Sequence, residues 1–315
     1  MKPVHFVAAF AWVLAGSIVA AQQQQPQGPP ADPLVKENAT VKVSEHVYVI
    51  PDGNVGGVPN VGIIVGNKAT LVVDTGMGPR NGQAILREVA KVSKNADLYV
   101  VSTHFHPEHA LGEPAFPASA KIIRAQAQQK DIDEFGLAMA QTFSARSAVW
   151  AELLQGVQFR KADIFFDRDY ALDLGGVRVR MLWLGPTHTR GDTGIFVEGD
   201  AVLFAGDVVM NRRFLAFASP YASVRAWLAS LDALDALHPA RIVPSHGAMG
   251  DGSLVGKDRE YLRAVQMRVR ELKAQGRSAD EAAKTITSEL QSKYPDWTGP
   301  MQIANAVAAA YKETP

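Results

Sequence analysis

Short apolar stretches near the start of the chain follow a period of two. Residues 41–50 alternate between apolar and polar side chains, and two apolar runs, 61–65 and 70–73, flank the turn residues Gly66-Asn67-Lys68. Alternation of this kind is typical of β-strands, and Gly and Asn between the runs are typical of a tight turn. We therefore predict antiparallel strands over these residues.

A helix and a buried strand follow these strands. Ile85, Val89 and Val92 recur at helical spacing within residues 80–92, and the apolar run 98–101 comes after them. A short apolar run bounded by polar residues is typical of a buried strand. The succession of strand, helix and strand predicts an α/β fold.

A second helical pattern occupies residues 126–155. Phe135, Met139, Phe143 and Trp150 recur there at roughly helical spacing. Because strand patterns resume afterwards, we interpret this segment as a helical insertion.

Strand patterns return in the second half of the chain. The runs 177–182, 194–197 and 202–204, separated by Gly and Asp turns, predict a second sheet. An apolar stripe within residues 224–234 predicts a helix, and a strand at 242–243 follows it. The two halves of the chain therefore resemble each other in the order of their predicted strands and helix.

The residues after 251 are almost entirely helical in pattern, with Leu262, Val265, Val269 and Leu272 on one face. This extension carries no evident catalytic motif. It could cover the core, form a dimer contact or frame the mouth of an active site, and the sequence leaves these three roles open.

The first 21 residues have the composition of a secretory signal. Lys2 provides a positive start, residues 7–19 are almost wholly apolar, and Val19-Ala20-Ala21 offers small residues for cleavage. A retained membrane anchor is the alternative, although the apolar stretch is short for a membrane span. We expect export to a bacterial periplasm and no stable membrane anchor after cleavage.

The chain divides into four predicted segments. Residues 1–21 form the signal peptide, and residues 22–38 form a disordered linker rich in Gln and Pro. Residues 39–250 form the catalytic domain, and residues 251–315 form the C-terminal helical extension.

Composition limits the classes of function. The 315 residues are 47% hydrophobic and 20% charged, which is enough for one sizeable core. Basic and acidic residues number 32 each, so the chain has no electrostatic footprint for nucleic acid, and a small-molecule substrate is expected. The absence of cysteine excludes disulfides, thiolate zinc sites and cysteine nucleophiles. The sequence does not indicate the oligomeric state.

A dense cluster of metal-ligand residues follows the strand at 98–101. The segment His104-Phe105-His106-Pro107-Glu108-His109 holds three imidazoles and a carboxylate within six residues. We expect His104 and His106 to lie on one side of an extended turn, while Glu108 and His109 begin a helix. One short loop can then supply ligands to two adjacent cations.

Three further candidate ligands follow later strands. His188 comes after the strand residues 181–184, Asp207 after 202–204 and His246 after 242–243. Each alone could be a turn residue or a helix cap. Together they share one edge of the predicted sheet, and imidazole with carboxylate suits zinc, with iron or manganese as alternatives.

The order of these residues, with Asp74 in Val72-Val73-Asp74-Thr75-Gly76 upstream, resembles the metallo-β-lactamase superfamily from about residue 41 to residue 250. The resemblance implies a four-layer αββα sandwich of two mixed sheets with outer helices. It also implies two metal ions at the rim between the sheets. The first would be held by His104, His106 and His188, the second by Glu108, His109 and His246, with Asp207 bridging them and Asp74 orienting the ligands from outside.

Glu108 departs from the pattern of the superfamily, which usually has Asp at this position. Glutamate is one methylene longer, so it must approach a metal from another angle. Occupancy of the second metal position is therefore left open.

We predict hydrolysis by a metal-bound hydroxide. Two adjacent cations lower the pKa of a shared water toward about 7. Glu108 or Asp207 could then pass a proton to the leaving group. The chain has no Gly-x-Ser-x-Gly motif and no cysteine, so the usual covalent acyl-transfer routes lack their residues.

The substrate class is open at this point. We favour an ester, thioester or lactone, with a periplasmic metallo-β-lactamase as the alternative, although β-lactamases of the superfamily generally carry Cys or Ser where this chain has Asp207. An iron-dependent oxidoreductase and a non-catalytic metal-binding or interaction protein are further alternatives. Arg212 and Arg213 could contact a substrate carboxylate or form a solvated pair, and residues 54–60 could form a flap or a simple hairpin loop.

Overall fold

A computed structural model describes residues 31–315. The predicted signal peptide, residues 1–21, lies outside the described residues, as do residues 22–30 of the predicted linker. Residues 31–38, which the sequence places in the linker, contact the domain. Val35 is buried, and its backbone N–H donates to Asn81 Oδ1 over 2.8 Å. No helix of the described part combines the length and apolar character that a membrane span requires.

The first sheet has seven strands in sequence order. The first four pair antiparallel and the fourth to seventh pair parallel. The strands are β1 (Val41–Lys42), β2 (Val47–Ile50), β3 (Val61–Val65), β4 (Ala69–Val73), β5 (Asp97–Val101), β6 (Lys121–Ala125) and β7 (Ile164–Phe166).

The second sheet has five strands, β8 (Asp169–Asp173), β9 (Arg178–Trp183), β10 (Thr193–Val197), β11 (Val202–Gly206) and β12 (Arg241–Pro244). Their order is β12-β11-β10-β9-β8, and all neighbours are antiparallel except the parallel pair of β11 and β12. Both sheets are therefore mixed, as the resemblance implies.

The described residues form nine α-helices, a 3-10 turn at Glu113–Ala115 and a π-helical turn at Ile132–Gly136. The α-helices are α1 (Gly78–Val92), α2 (Pro107–Ala110), α3 (Gln126–Asp131), α4 (Leu137–Ser144), α5 (Ala148–Leu154), α6 (Val224–Asp235), α7 (Ser253–Ala274), α8 (Ala279–Lys293) and α9 (Gln302–Glu313). Helices α3 to α5 occupy the segment predicted as a helical insertion.

The two sheets pack face to face over an apolar core. Alternate residues of β2, Val47 and Val49, point into this core, where they join Met181 and Phe204 of the second sheet. Gly62 has a packing role here, because a Cβ on it would lie 2.5 Å from the Phe204 ring. Period-two burial thus fixes the register of each strand against the opposite sheet.

Helices cover the outer face of each sheet. Ile85 and Val89 of α1 pack against the first sheet, while Trp227 and Leu231 of α6 pack against the second. The αββα fold that the resemblance implies is confirmed.

The C-terminal helices share a core with α6. Val265 of α7, Ile286 of α8 and Val307 of α9 are buried in the cluster that contains Trp227. Thr298, between α8 and α9, exchanges backbone hydrogen bonds with the segment after β11: its N–H donates to Arg212 O and its carbonyl accepts from Phe214 N–H. The extension therefore covers the core and also reaches the edge where the candidate ligands lie.

Candidate metal centre

The turn after β5 brings four candidate ligands to one place. The chain leaves β5 at Val101, stays extended at His106, and enters the short helix α2 at Pro107, whose fixed φ suits the first helical position. His104 and His106 therefore come from the turn, and Glu108 and His109 come from the helix. This is the arrangement expected from the sequence.

The other candidates lie at the same edge of the sandwich. His188 follows β9, Asp207 directly follows β11, and His246 lies two residues after β12. Asp74 directly follows β4 in the first sheet. All seven predicted ligands are brought together, and their role as ligands stays a prediction.

Three imidazoles form the first group. His104 Nε2 lies 3.0 Å from His106 Nδ1, and His188 Nε2 lies 3.2 Å from the same atom. Burial and the neighbouring imidazoles hold the pKa of His104 and of His106 well below the ordinary value, so both rings are neutral. Neutral rings keep the lone pairs that metal coordination requires.

Glu108, His109 and His246 form the second group. Glu108 Oε1 lies 3.9 Å from His109 Nε2. Asp207 lies between the two groups, with its oxygens 3.5 Å from His188 Nε2 and 3.9 Å from His246 Nε2. Its position is that expected of a residue bridging two cations.

Unsatisfied buried atoms show that these residues fit divalent cations. Glu108 Oε2, His109 Nε2 and Asp207 Oδ1 are buried and have no hydrogen-bond partner within the described chain. An unpaired buried polar atom costs about 1–3 kcal/mol, and more when it is charged. Cations bound by these atoms would remove that cost, and imidazole with carboxylate is a zinc donor set.

Asp74 contacts both ends of the turn that carries the candidate ligands at residues 104–109. Its Oδ1 accepts the Thr103 N–H over 2.7 Å, and its Oδ2 accepts His109 Nδ1–H over 2.9 Å. Burial alone would lower the pKa of His109, but the Asp74 carboxylate, together with Glu108 and Asp207, outweighs burial and raises it to about 9. The contact leaves His109 Nε2 directed into the cluster, as expected of a residue that orients a ligand.

Backbone carbonyls orient two other rings. His188 Nδ1 donates to Ala216 O over 2.6 Å, and His246 Nδ1 donates to Val58 O over 3.0 Å. Each contact leaves Nε2 free to face the cluster. Neither acceptor could be predicted from residue types, because any residue supplies a backbone carbonyl.

Two buried carboxylates fix the loop that carries His188. Asp192 accepts hydrogen bonds from Thr187 Oγ1 and from Thr189 N–H. Asp131, at the end of α3, accepts the Gly191 N–H over 2.9 Å. Local sequence patterns do not identify Asp131 as a supporting residue, because its contact joins two distant segments.

The cluster lies at the floor of a cavity of about 780 Å³. Residues 54–57 form one part of its wall, and the insertion contributes Phe143, Arg146 and Trp150. The Trp150 ring packs so closely on Gly57 that a Cβ there would lie 2.6 Å from it. Other wall residues are Asp52, Met139, Asn211, Arg212, Arg213, Asp296, Thr298 and Gln302.

Comparisons with known proteins found relatives of similar sequence. A linear primary-alkylsulfatase of Pseudomonas sp. is 25% identical over an alignment of 233 residues, which covers 62% of this chain and 42% of that protein. The lactamase-like protein aptB of Emericella nidulans is 24% identical over an alignment of 285 residues, which covers 84% of this chain and 78% of that protein. This chain thus spans less than half the length of the alkylsulfatase.

A solved structure has the same fold. The stereoselective inverting sec-alkylsulfatase of Pseudomonas sp. superposes with a TM-score of 0.65 at 14% identity, covering 87% of this chain and 50% of that one. The family model of the metallo-beta-lactamase superfamily matches residues 54–246, more than half of the chain. The chain therefore belongs to the metallo-beta-lactamase superfamily, the enzyme family that the motif at residues 104–109 predicts.

Proposed function

We propose that this protein is a metal-dependent hydrolase of an ester-type bond, namely a carboxylic ester, thioester or lactone. One observation carries the proposal. Buried imidazole and carboxylate atoms without partners converge at the floor of a cavity large enough for a small-molecule substrate. Zinc is the proposed metal because of this donor set.

Divalent cations bound here would supply Lewis acidity and would lower the pKa of water toward neutrality. The protein's part is to hold them and to manage protons. Burial alone would raise the pKa of Asp207, but His188, His246 and His109 hold it well below the usual range. Asp207 is thus ionised at every working pH, which suits a bridging ligand better than a proton donor.

Glu108 is the better candidate for proton transfer. Its carboxylate lines the cavity, where a leaving group would lie, and it also faces His109. A carboxylate in this position can accept a proton from water and pass it to the departing oxygen or sulfur.

The proposal is tested by assaying a panel of substrates and by measuring the metal content of the same protein. The panel contains esters, thioesters, lactones, β-lactams and sulfate esters. We expect about two bound metal ions per chain and turnover of an ester-type substrate that a chelator abolishes. His106→Ala is expected to lose at least roughly 100-fold in kcat/KM, because it removes a ligand of the first group. His238→Ala, a histidine outside the cluster, is the matched control. Full activity in His106→Ala, or metal binding without any turnover, would contradict the proposal.

Sulfate-ester hydrolysis is the second candidate. It is favoured by the similarity to a linear primary-alkylsulfatase and by arginines in the cavity wall. Turnover of an alkyl sulfate with no turnover of carboxylic esters would select it.

We also propose that the protein is exported to a periplasm. The support is the composition of residues 1–21 described above. Amino-terminal sequencing of the protein recovered from a periplasmic extract tests this, and a chain that still begins at Met1 would contradict it.

A further inference from the structure

Residues 207–216 form one segment that connects two of the candidate ligands. Asp207 begins the segment, directly after β11. Ala216 ends it and supplies the carbonyl oxygen that accepts His188 Nδ1–H over 2.6 Å. The path of this segment therefore affects where both Asp207 and His188 direct their ligand atoms.

The C-terminal extension holds the middle of this segment at three backbone groups. Asp258 Oδ2, in α7, accepts the Met210 N–H over 2.8 Å. The backbone of Thr298, between α8 and α9, donates to Arg212 O over 2.9 Å and accepts the Phe214 N–H over 3.0 Å. Of these three contacts, that of Asp258 is made by a side chain, so it can be removed by substitution.

Asp258 lies at a core position of α7. It is fully buried on the same side of the helix as the apolar residues Leu254, Leu262 and Val265. An apolar side chain would fill such a position without the cost of burying a carboxyl group. The hydrogen bond to Met210 is therefore the gain that aspartate provides here.

The Asp258 carboxyl makes no other hydrogen bond among residues 31–315, where its Oδ1 is buried without a partner. Burial raises the pKa of Asp258 well above its ordinary value, and the Met210 N–H and the charge of Lys257 oppose this only in part. Burial thus favours the neutral acid. An amide of the same shape can replace a neutral acid and keep the acceptor oxygen.

We propose that Asp258 is a positioning residue of the metal centre, through which the C-terminal extension fixes Asp207 and the carbonyl that orients His188. This inference rests on the proposed function, in which Asp207 and His188 bind metal. Without the acceptor, the buried Met210 N–H would be unsatisfied, and the segment would shift to find another partner. The geometry of a bound metal would then change, although Asp258 is not among the candidate ligands.

Binding of Co²⁺ to the full chain tests the inference, because the visible absorption of bound Co²⁺ reports the geometry of its ligands. Asp258→Leu fills the position but removes the acceptor. We expect its Co²⁺ affinity to fall at least roughly 10-fold and its absorption spectrum to change. Asp258→Asn keeps an acceptor oxygen and is expected to retain the affinity and spectrum of the parent chain. Asp258→Ala removes the acceptor without adding bulk, so it provides the same comparison if Asp258→Leu does not fold.

Leu272→Ala is the matched control for a loss of stability alone. Leu272 is buried in the same helix, about four turns beyond Asp258, and its side chain has no polar atom. We expect Leu272→Ala to unfold at a lower urea concentration but, in the absence of urea, to bind Co²⁺ like the parent chain. An unchanged spectrum and affinity in Asp258→Leu would overturn the inference. Equal changes in Leu272→Ala, or no recovery in Asp258→Asn, would also overturn it.

Failure of this inference can be distinguished from failure of the proposed function. Co²⁺ binding that depends on Asp258, in a chain that turns over no substrate of the panel, would support the positioning role and overturn the proposed function. Turnover of an ester-type substrate by a chain whose Co²⁺ spectrum does not respond to Asp258→Leu or Asp258→Ala would leave the proposed function standing and overturn the positioning role.

Discussion

Asp74 has an uncommon backbone conformation and accepts hydrogen bonds from both Thr103 and His109. Its φ of 63° lies in the left-handed region, which costs a non-glycine residue of order 1 kcal/mol or more. Aspartate and asparagine tolerate this region better than other side chains. Glycine would relieve the strain but would lose the bonds to Thr103 and His109, so the position calls for a short acceptor.

Asp74→Asn therefore removes the charge of the side chain but keeps its size and shape. The variant keeps the backbone preference but weakens the acceptor for His109 Nδ1–H, so we expect metal affinity to fall roughly 10- to 100-fold. A competition titration against a chelator measures this. Asp97→Asn, exposed at the start of β5, is the control and is expected to leave affinity unchanged. Equal affinities in the two variants would show that Asp74 does not orient the ligands.

Glu108 gives a second prediction at the residue scale. In Glu108→Asp the carboxylate withdraws by one methylene toward the position that the superfamily usually uses, so we expect second-metal binding to be retained or improved. Glu108→Gln keeps the length but loses the charge, and it is expected to lose the second metal. Metal stoichiometry by elemental analysis checks both. A clear loss in Glu108→Asp would mean that the longer side chain is required.

The site residues were predictable because their signal is dense. Three imidazoles and a carboxylate stand within residues 104–109, and each later candidate ends a strand of clear pattern. The supporting contacts were not predictable. Ala216 and Val58 act through backbone carbonyls, and Asp131 acts on a loop some sixty positions away in the sequence, beyond the reach of local patterns.

At the scale of elements, the insertion supports the site as well as enclosing it. Asp131 accepts from Arg190 Nε over 3.0 Å and from Gly191 N–H, so the end of α3 holds the loop of His188. Arg190 also donates to Glu134 in the π-helical turn, and its guanidinium lies over the Tyr221 ring. Movement of the insertion would therefore move a candidate ligand.

Asp131→Ala is expected to destabilise the fold by about 2–4 kcal/mol, because it leaves the buried Gly191 N–H and the Arg190 Nε–H without their acceptor. It should also weaken metal binding through His188. Urea unfolding and metal titration measure the two effects. Asp133→Ala, two residues away and bonded to Gln129 at the surface, is expected to change neither. Wild-type metal affinity in Asp131→Ala would show that the insertion does not support His188.

Asp200 connects the two sheets. It lies in the turn between β10 and β11, and it accepts from Ser44 Oγ, from His46 N–H at 2.9 Å and from His46 Nδ1–H at 2.8 Å. Burial alone would raise the pKa of Asp200, but these hydrogen bonds outweigh burial and lower it below the ordinary 3.8. The ionised carboxylate thus stabilises the contact between sheets.

The sign of the pH dependence follows from that direction. A folded pKa below the unfolded value stabilises the protein above about pH 4, and this stabilisation is lost as pH falls through the folded pKa. Asp200→Asn is expected to cost about 1–3 kcal/mol at pH 7 and progressively less in acid. Denaturant unfolding across pH 3–7 measures this, with the exposed Asp167→Asn as control. A cost that stays constant with pH would contradict an ionic contribution.

At the scale of the molecule, the C-terminal helices and the second sheet share one core. Val265 is fully buried in the cluster that contains Trp227 and Val307. A shared core predicts that the full chain unfolds in one cooperative transition. Val265→Ala should shift that whole transition and cost about 2–3 kcal/mol. Differential scanning calorimetry measures the transition, and Met267→Ala, at an exposed position of α7, is the control. Two separable transitions would contradict a shared core.

The strands and helices of both sheets could be predicted because they follow from local periodicity, and the resemblance to the superfamily implied that they form a sandwich. Alternation over 41–50 and a buried stripe over 224–234 determine which face each element buries. The position of the insertion over the cavity and the docking of the extension could not be predicted. Both depend on contacts such as that of Trp150 with Gly57 or of Thr298 with Arg212, which join segments with no shared pattern.

The candidate ligands and most of the cavity wall come from different segments of the chain. The groups that would perform the chemistry stand at strand ends, whereas the enclosing wall comes from the insertion, residues 54–57 and the segment around Thr298. The insertion is not independent of those groups, because Asp131 accepts the Gly191 N–H in the loop of His188. A change in the wall that alters substrate preference must therefore keep this contact if the candidate ligands are to stay in place.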